Sequence, residues 1–389
     1  MRVVPLVEVV GSPYEQGRAH GEMLCDGVHR VLDRLACDVQ TQYDLTFDAF
    51  SHRFTSEFGF RESAERWVPF VLDEVRGIAD AVKRPFEHVL CLNLMDEYWV
   101  HRLGPVHQSC SSLGLAPRPG EPTWIAQNMD LPTLYDGLQT LVRSTGDPDR
   151  PDRLVLTFPG YVGLTGYNEA GVGVCCNTLS QLARSRHGLP VSFVVRGILN
   201  QRNASDAVAF AQSVPHAAGQ NYLIGDPTTV IDIECSANSV VRFVPDSGPE
   251  IVWHTNHPLV NDDLHIGEPD RRPKRATVTT AIDAEANTRR RLESLVARLQ
   301  GPALQQPIEA VAAALRARDS IEHPVCRHPE DGRGFFTFAA IAMRLSDHAE
   351  AQVSFGPPDL NDFATYRLRA QSGTASSRPR PSDRPEISS

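Results

Sequence analysis

No run of apolar residues in this chain approaches the ~20 that a membrane-spanning helix needs, and the stretch from Met1 reaches Glu8 without the apolar segment of a signal peptide. A soluble cytoplasmic protein without a membrane partner is therefore expected. The eight cysteines, at positions 25, 37, 91, 110, 175, 176, 235 and 326, contain no Cys-x-x-Cys pair and no regular spacing, which excludes a disulfide framework and a zinc finger as readings of the sequence. Also missing are the Gly-x-Ser-x-Gly elbow of serine hydrolases and the glycine loops that cradle phosphates. Positive charge is in deficit: 38 Lys and Arg against 48 Asp and Glu give a net charge of −10, which argues against nucleic-acid or anionic-membrane partners. The one basic cluster, Arg289-Arg290-Arg291, precedes Leu292, Leu295 and Leu299 at helical spacing and reads as the solvated start of an amphipathic helix.

What is present is ordinary globular material: 389 residues, 41% hydrophobic, long enough to bury a substantial core. From Ser12 to about Trp99 the periodicity is helical. Ser12-Pro13 reads as an N-cap followed by proline at the first helical position, and Val71, Val75, Ile78 and Val82 share one face of a helix over 67–82. After Cys110 the texture changes to short β-like runs between Gly, Pro, Asn and Asp, at 123–126, 154–158, 172–176, 230–233, 240–244, 335–345 and 351–355, with helical patterns at 190–200, 205–212, 288–299 and 308–316. Strands and helices without a regular βαβ repeat indicate α+β layers. The tail from about Ala370 has little to bury and reads as disordered.

Two groups of residues invite a chemical reading. His254-Thr255-Asn256-His257 and Cys326-Arg327-His328 offer zinc ligands, without the spacing of a zinc helix. Cys110 heads one β-like run (Gln108-Ser109-Cys110-Ser111-Ser112), and a turn joins it to a second run that ends Gln127-Asn128-Met129-Asp130. A hairpin of these runs places the sulfur and the Asp130 carboxylate at one end. On this ground alone Cys110 could equally be a buried structural cysteine, Asp130 an Asx-turn or cap before Pro132, and Asn177 a turn residue.

The ordered set of Gly11 to Gly21, Leu92 to Glu97, Cys110-Ser111-Ser112, Gln127-Asn128-x-Asp130, Asn168 to Val172, Asn177-Thr178-Leu179, Gln220 to Leu223, His254 to His257, Cys326 to Pro329 and Gly356-Pro357-Pro358 resembles the acyl-coenzyme A:6-aminopenicillanate acyltransferase (isopenicillin-N acyltransferase) family of N-terminal-nucleophile hydrolases. More distantly, it is similar to choloylglycine hydrolases and penicillin V acylases. The resemblance implies a four-layer αββα fold with a helical N-terminal segment. It implies autocatalytic cleavage between Ser109 and Cys110, giving a small subunit 1–109, a core 110–366 and a tail 367–389. It also implies Cys110 as nucleophile, Asp130 as the residue that orients the new amine or the thiol, and Asn177 and Asn256 in oxyanion stabilisation and organisation of the nucleophile. No cofactor and no metal is expected. The expected partners are a small acyl amide or acyl thioester, an amine acceptor, and the other half of the cleaved chain, with a homo-oligomer also open. Gln127 stands where choloylglycine hydrolases carry an active-site arginine, so bile-salt or penicillin V specificity is not implied. The rival readings are an uncleaved binding protein of the same fold and a zinc-dependent hydrolase using His254, His257 and Cys326.

Overall fold

The structure is a computed structural model that describes residues 6–100, 110–265, 281–300, 305–332 and 334–368. The expectations for Ser109 and for the tail beyond Leu368 lie outside the described residues.

The N-terminal segment is helical, as its periodicity requires: α1 (Pro13–Met23), α2 (Cys25–Tyr43), α3 (Phe47–Glu57), α4 (Phe60–Trp67), α5 (Pro69–Val82), α6 (Phe86–Leu92) and α7 (Met95–Tyr98). Ser12 caps α1 in a reciprocal box, its hydroxyl accepting from the Glu15 N–H while the Glu15 carboxylate accepts from the Ser12 N–H at 2.8 Å. Glycine explains how α1 and α5 meet. A Cβ on Gly17 would lie 2.0 Å from the Glu74 carbonyl oxygen, and one on Gly77 would lie 2.2 Å from that of Tyr14. The two helices therefore touch backbone to backbone, and glycine alone allows that approach.

This crossing also buries an ion cluster. The Glu74 carboxylate accepts from Arg196 at 2.5 Å and from Arg153 at 3.2 Å, with all three side chains at most 5% exposed. Burial pushes the Glu74 carboxyl up, but the two guanidiniums outweigh it and hold the group below its usual range. Arg153 and Arg196 both lie after Cys110, so the helical segment is anchored to the core by charges that water cannot replace.

Strands β1 (Leu6–Val10), β2 (Ser111–Leu115), β3 (Thr123–Pro132), β4 (Thr140–Thr145), β5 (Arg153–Thr157), β6 (Thr165–Asn168), β7 (Gly173–Thr178), β8 (Gln220–Asp226), β9 (Thr229–Cys235), β10 (Val240–Phe243), β11 (Ile251–His254), β12 (Phe335–Leu345), β13 (Glu350–Phe355) and β14 (Ala364–Arg367) form two sheets. Their orders are β1-β4-β5-β6-β7-β8-β9-β10 and β11-β2-β3-β12-β13-β14. Pairing is antiparallel except between β1 and β4. The expected boundary after residue 366 falls inside β14.

Strand alternation decides what each sheet faces. Leu113, Leu115, Trp124, Ala126, Ala340 and Ala342 point to one side of the smaller sheet, where they pack on Leu295 of α10 (Ala281–Arg298), Leu299 just beyond its end, and Val311 and Leu315 of α11 (Pro307–Leu315). On the other side, β2 and β3 lie on β7, β8 and β9 of the larger sheet, whose outer face carries α8 (Val191–Ile198) and α9 (Ala204–Ser213). The result is four layers, αββα. Among the described residues no helix is long and apolar enough to cross a membrane.

Because the Gly17 Cβ position is filled by backbone, Gly17→Ala forces α1 and α5 apart. The expected cost is about 1–3 kcal/mol, read as a lower urea midpoint with an unchanged denaturant slope.

Candidate active site

Cys110 immediately precedes β2, which pairs antiparallel with β3 in the register Ser111↔Asn128 and Leu113↔Ala126. The hairpin expected from the sequence therefore forms, and it sets the Cys110 sulfur 3.7 Å from Met129 Sδ and 3.8 Å from the Asp130 carbonyl oxygen. The thiol is 5% exposed, and burial first, then the nearby Asp130 charge, pushes it up to about 12. In this setting the sulfur is protonated at neutral pH.

Asp130 lies on β3 opposite Thr337 of β12, with its carboxylate 3.2 Å from Arg327 Nε. The two are in ion-pair range without being aligned as a hydrogen bond. Burial raises the Asp130 carboxyl to about 6, against the pull of Arg327 and Arg291.

On the other side of β2 runs β11, with His254 opposite Ser112. Continuing that register by two residues brings Asn256 level with Cys110. The Asn256 amide donates to the Thr178 carbonyl at 3.1 Å, its side-chain oxygen accepts from Arg291 at 2.9 Å, and its backbone N–H donates to Thr288 Oγ1 at 2.7 Å.

Here the reading of the Arg289-Arg290-Arg291 cluster needs correction. Arg289 and Arg290 are the expected solvated residues, paired with Glu285 and Glu293 on their own helix. Arg291 points the opposite way and is completely buried. Its guanidinium donates to the Cys110 carbonyl oxygen at 2.6 Å, Ser111 Oγ at 2.9 Å and Asn256 Oδ1. Since α10 turns through 100° per residue, three consecutive arginines cannot share one face. The leucine pattern beginning at Leu292 places the inward face, and Arg291 lies on its edge.

Asn177 is buried on β7, and both of its amide hydrogens are engaged, by Ser112 Oγ at 2.7 Å and Asn221 Oδ1 at 3.2 Å. Gln127 donates to its side-chain oxygen at 3.2 Å, and Asn221 in turn donates to Asp232. As these side chains stand, Asn177 has no amide hydrogen left to offer an oxyanion, and it braces Ser112, two residues beyond Cys110.

The three ligands of the zinc reading do not meet. Both ring nitrogens of His254 are engaged, by Glu234 at 2.8 Å and the Thr255 carbonyl at 2.9 Å. His257 Nδ1 contacts Thr288, and Cys326 donates to Asp359 at 3.0 Å. Cys326 gathers instead with His328 and Asp359. The His328 ring accepts from the Asp331 N–H, which leaves Nε2 to donate to Asp359 at 2.8 Å, so in this arrangement Nε2 has no lone pair for an ion.

Besides Arg291, sequence reasoning passed over Arg327, although it lies inside a quoted motif, and Asp96. A narrow cavity opens beside Cys110, lined by Met95, Asp96, Trp99, Met129, Tyr161 and Leu164 among others. Contacts at such sequence separation leave no local trace.

The chain thus stacks four αββα layers, with Cys110 at the head of an inner strand of the smaller sheet. Residues 118–356 match the family model of acyl-coenzyme A:6-aminopenicillanic acid acyl-transferase, more than half of the chain, and the chain belongs to that family. Asp130, Asn177, Asn256, Arg291 and Arg327 fall inside the matched span, and Cys110 lies eight residues before it. The chain is 26% identical over 253 residues to the acyl-coenzyme A:6-aminopenicillanic-acid-acyltransferase 40 kDa form of Emericella nidulans, covering 64% of this chain and 68% of that one. It is 23% identical over 296 residues to protein dcd1B of Dictyostelium discoideum, covering 68% of this chain and 57% of that protein. Among solved structures, a conjugated bile acid hydrolase mutant from Clostridium perfringens is similar at a TM-score of 0.41 and 14% identity, over 66% of this chain and 96% of that one. Penicillin V acylase from Agrobacterium tumefaciens is similar at 0.35 and 10%, over 63% and 82%.

Lysine keeps the charge of Arg291 but cannot hold three acceptors in one planar fork. Arg291→Lys is expected to lower turnover of an acyl amide by about 100-fold or more, measured as kcat/KM on protein whose near-UV circular dichroism matches the parent.

Proposed function

We propose that this chain is a self-processing amidohydrolase or acyltransferase whose nucleophile is Cys110, exposed by cleavage of the Ser109-Cys110 bond, and that it acts on small N-acyl amides through an acyl-thioester. One arrangement carries this reading: a buried thiol whose own carbonyl is gripped by Arg291, with Asp130 and Arg327 behind the sulfur.

Arg291 and Arg327 both act on Asp130, and Arg291 also acts on the Cys110 thiol; positive charge so placed favours the oxyanion of a tetrahedral intermediate. In maturation the Cys110 sulfur attacks the Ser109 carbonyl. The S–C bond forms as the peptide C–N bond breaks, and the sulfur's proton ends on the departing nitrogen. Water then hydrolyses the thioester.

The product is a free α-amine on Cys110. Its reference pKa of about 7.7–8.0 leaves a useful unprotonated fraction near neutral pH, and that fraction takes the thiol proton. In this reading Asp130 holds the amine. In turnover the sulfur attacks the substrate carbonyl, the amine leaves with the proton, and water or a second amine takes the acyl group from sulfur. Asn256 and Arg291 organise the nucleophile's backbone, and Asn177 supports it through Ser112.

The two fragments stay together in this reading. Glu74, on the N-terminal side, is locked to Arg153 and Arg196, and Asn93 donates to the Gly160 carbonyl at 2.8 Å and accepts from the Val162 N–H at 2.8 Å. Breaking the cluster by withdrawing Glu74 would leave two buried guanidiniums with neutral acceptors and without this counter-charge.

Purified protein is accordingly expected to run on a denaturing gel as fragments of about 12 and about 31 kDa, apportioned by residue number, that co-elute under native conditions. Cys110→Ala should give one species at 42.9 kDa. A single full-length band from active parent protein overturns maturation, and a Cys110→Ala chain that still splits overturns the nucleophile.

The pH dependence follows from the base. The α-amine must be neutral, so kcat/KM of the mature enzyme is expected to fall as pH drops below about 7.7–8.0 and to level off above it. N-terminal acetylation should abolish both activity and this limb.

A further inference from the structure

We propose that Thr288, on α10, is a positioning residue for the reaction at Cys110: it holds the backbone of Asn256 so that the amide of that residue faces the oxyanion formed when the sulfur attacks a carbonyl. This rests on Cys110 being the nucleophile.

The helix supplies the first observation. Thr288, Arg291, Leu295 and Leu299 recur at three- and four-residue spacing and are all buried, so they form one inward stripe. Leu295 and Leu299 pack on the smaller sheet as core residues do. At Thr288 and Arg291 the stripe turns polar, and both residues reach Asn256. A β-branched residue with a hydroxyl is a poor helix former, and inside a helix its hydroxyl commonly bonds back to a carbonyl of the preceding turn. Here it donates instead to Thr255 Oγ1 at 2.8 Å.

The second observation is what Thr288 touches. β11 ends at His254, so the residues that follow leave the sheet ladder and their backbone donors need partners elsewhere. The Asn256 N–H donates to Thr288 Oγ1 at 2.7 Å, His257 Nδ1 lies 2.9 Å from the same oxygen, and Thr255 Oγ1 donates to the Thr288 carbonyl at 3.1 Å. One buried residue thus engages three successive residues of the turn.

Asn256 is thereby fixed at both its backbone and its side chain. A guanidinium can only donate, so the side-chain oxygen of Asn256 must face Arg291, and its amide nitrogen gives one hydrogen to the Thr178 carbonyl at 3.1 Å. The amide's second hydrogen is left for an oxyanion, in contrast to Asn177, where both are engaged. Arg291 and Thr178 set the plane of the Asn256 amide, and Thr288 sets the backbone from which it extends. A misplacement of about 1 Å costs on the order of 100-fold in rate, so loss of the backbone anchor is felt at the donor.

The test compares two reactions of the Cys110 thiol in the cleaved, full-length protein. Acylation by p-nitrophenyl acetate passes through a tetrahedral oxyanion: the S–C bond forms, p-nitrophenolate leaves with the electron pair of its C–O bond, and the thiol proton goes to the α-amine. Alkylation by iodoacetamide displaces iodide and forms no oxyanion. The first is followed as the p-nitrophenolate release that Cys110→Ala abolishes, and the second by the mass of the peptide that begins at Cys110. In Thr288→Val, which keeps the shape and removes the hydroxyl, acylation is expected to slow by about 10- to 100-fold while alkylation stays within about threefold of the parent. Thr288→Ser keeps the hydroxyl and should return acylation to within about threefold of the parent.

Acylation at the parental rate in Thr288→Val, an equal loss of both reactions, or failure of Thr288→Ser to restore acylation overturns the proposal and leaves the nucleophile standing. A parent protein that neither cleaves nor shows Cys110-dependent acylation removes the nucleophile and the proposal with it. Should Thr288→Val fail to fold or to cleave, Thr255→Val, which strips Thr288 of two of its contacts, must lower the ratio of acylation to alkylation, and an unchanged ratio there counts against the proposal equally.

Discussion

The guanidinium of Arg291 is the contact on which the arrangement around Cys110 depends. It is carried by an outer helix and ties together the Cys110 carbonyl, Ser111 and Asn256, three groups from the head of β2 and the turn after β11. Burial and the neighbouring Arg327 charge pull its own pKa down to about 9, against which the Asp130 carboxylate acts to keep it charged. A buried cation of this kind is tolerated only when its hydrogen-bond acceptors are fixed in place. The need to satisfy Arg291 therefore fixes the head of β2, the turn after β11 and the depth at which α10 lies on the sheet.

Around that contact the polar groups form a continuous support. Ser112 leans on Asn177, Asn177 on Gln127 and Asn221, and Asn221 on Asp232. His254 lies against Glu234 at 2.8 Å; burial opposes its charge, but Asp232 and Glu234 outweigh that and raise its pKa. Glu234 also accepts from the backbone N–H groups of Leu259, Val260 and Asn261, the last at 2.7 Å. A residue such as Asn177 or His254 thus acts through its neighbours. In a buried network each member is needed because an unpaired polar group costs more than a made hydrogen bond contributes.

The helical segment before residue 101 is part of the site as well as its anchor. Met95, Asp96 and Trp99 line the cavity, while Glu74 and Asn93 hold the segment to the core. In the proposed cleavage, the cut would separate two parts of one cavity that remain joined by buried charge and backbone hydrogen bonds. The closed geometry around Cys110, with its thiol protonated and 5% exposed, is consistent with the proposed attack of this sulfur on its own backbone.

Much of this was determined by the sequence alone, because it is encoded locally. The helix start at Ser12-Pro13, the 3.6-residue pattern of α5 and the alternation of β12 each follow from neighbouring residues, and strand runs such as 154–158 and 230–233 came within a few residues of their observed ends. The β2–β3 hairpin with Cys110 and Asp130 at one end was legible for the same reason. Tertiary structure alone decided which of three consecutive arginines turns inward, that Arg327 meets Asp130, and that Asp96 shares a cavity with a cysteine 14 positions away. The charge and composition of Arg289, Arg290 and Arg291 are identical. Only the angle at which α10 rests on the smaller sheet distinguishes them, and that angle is set by leucine packing and by the acceptors around Cys110 and Asn256, which no local pattern records.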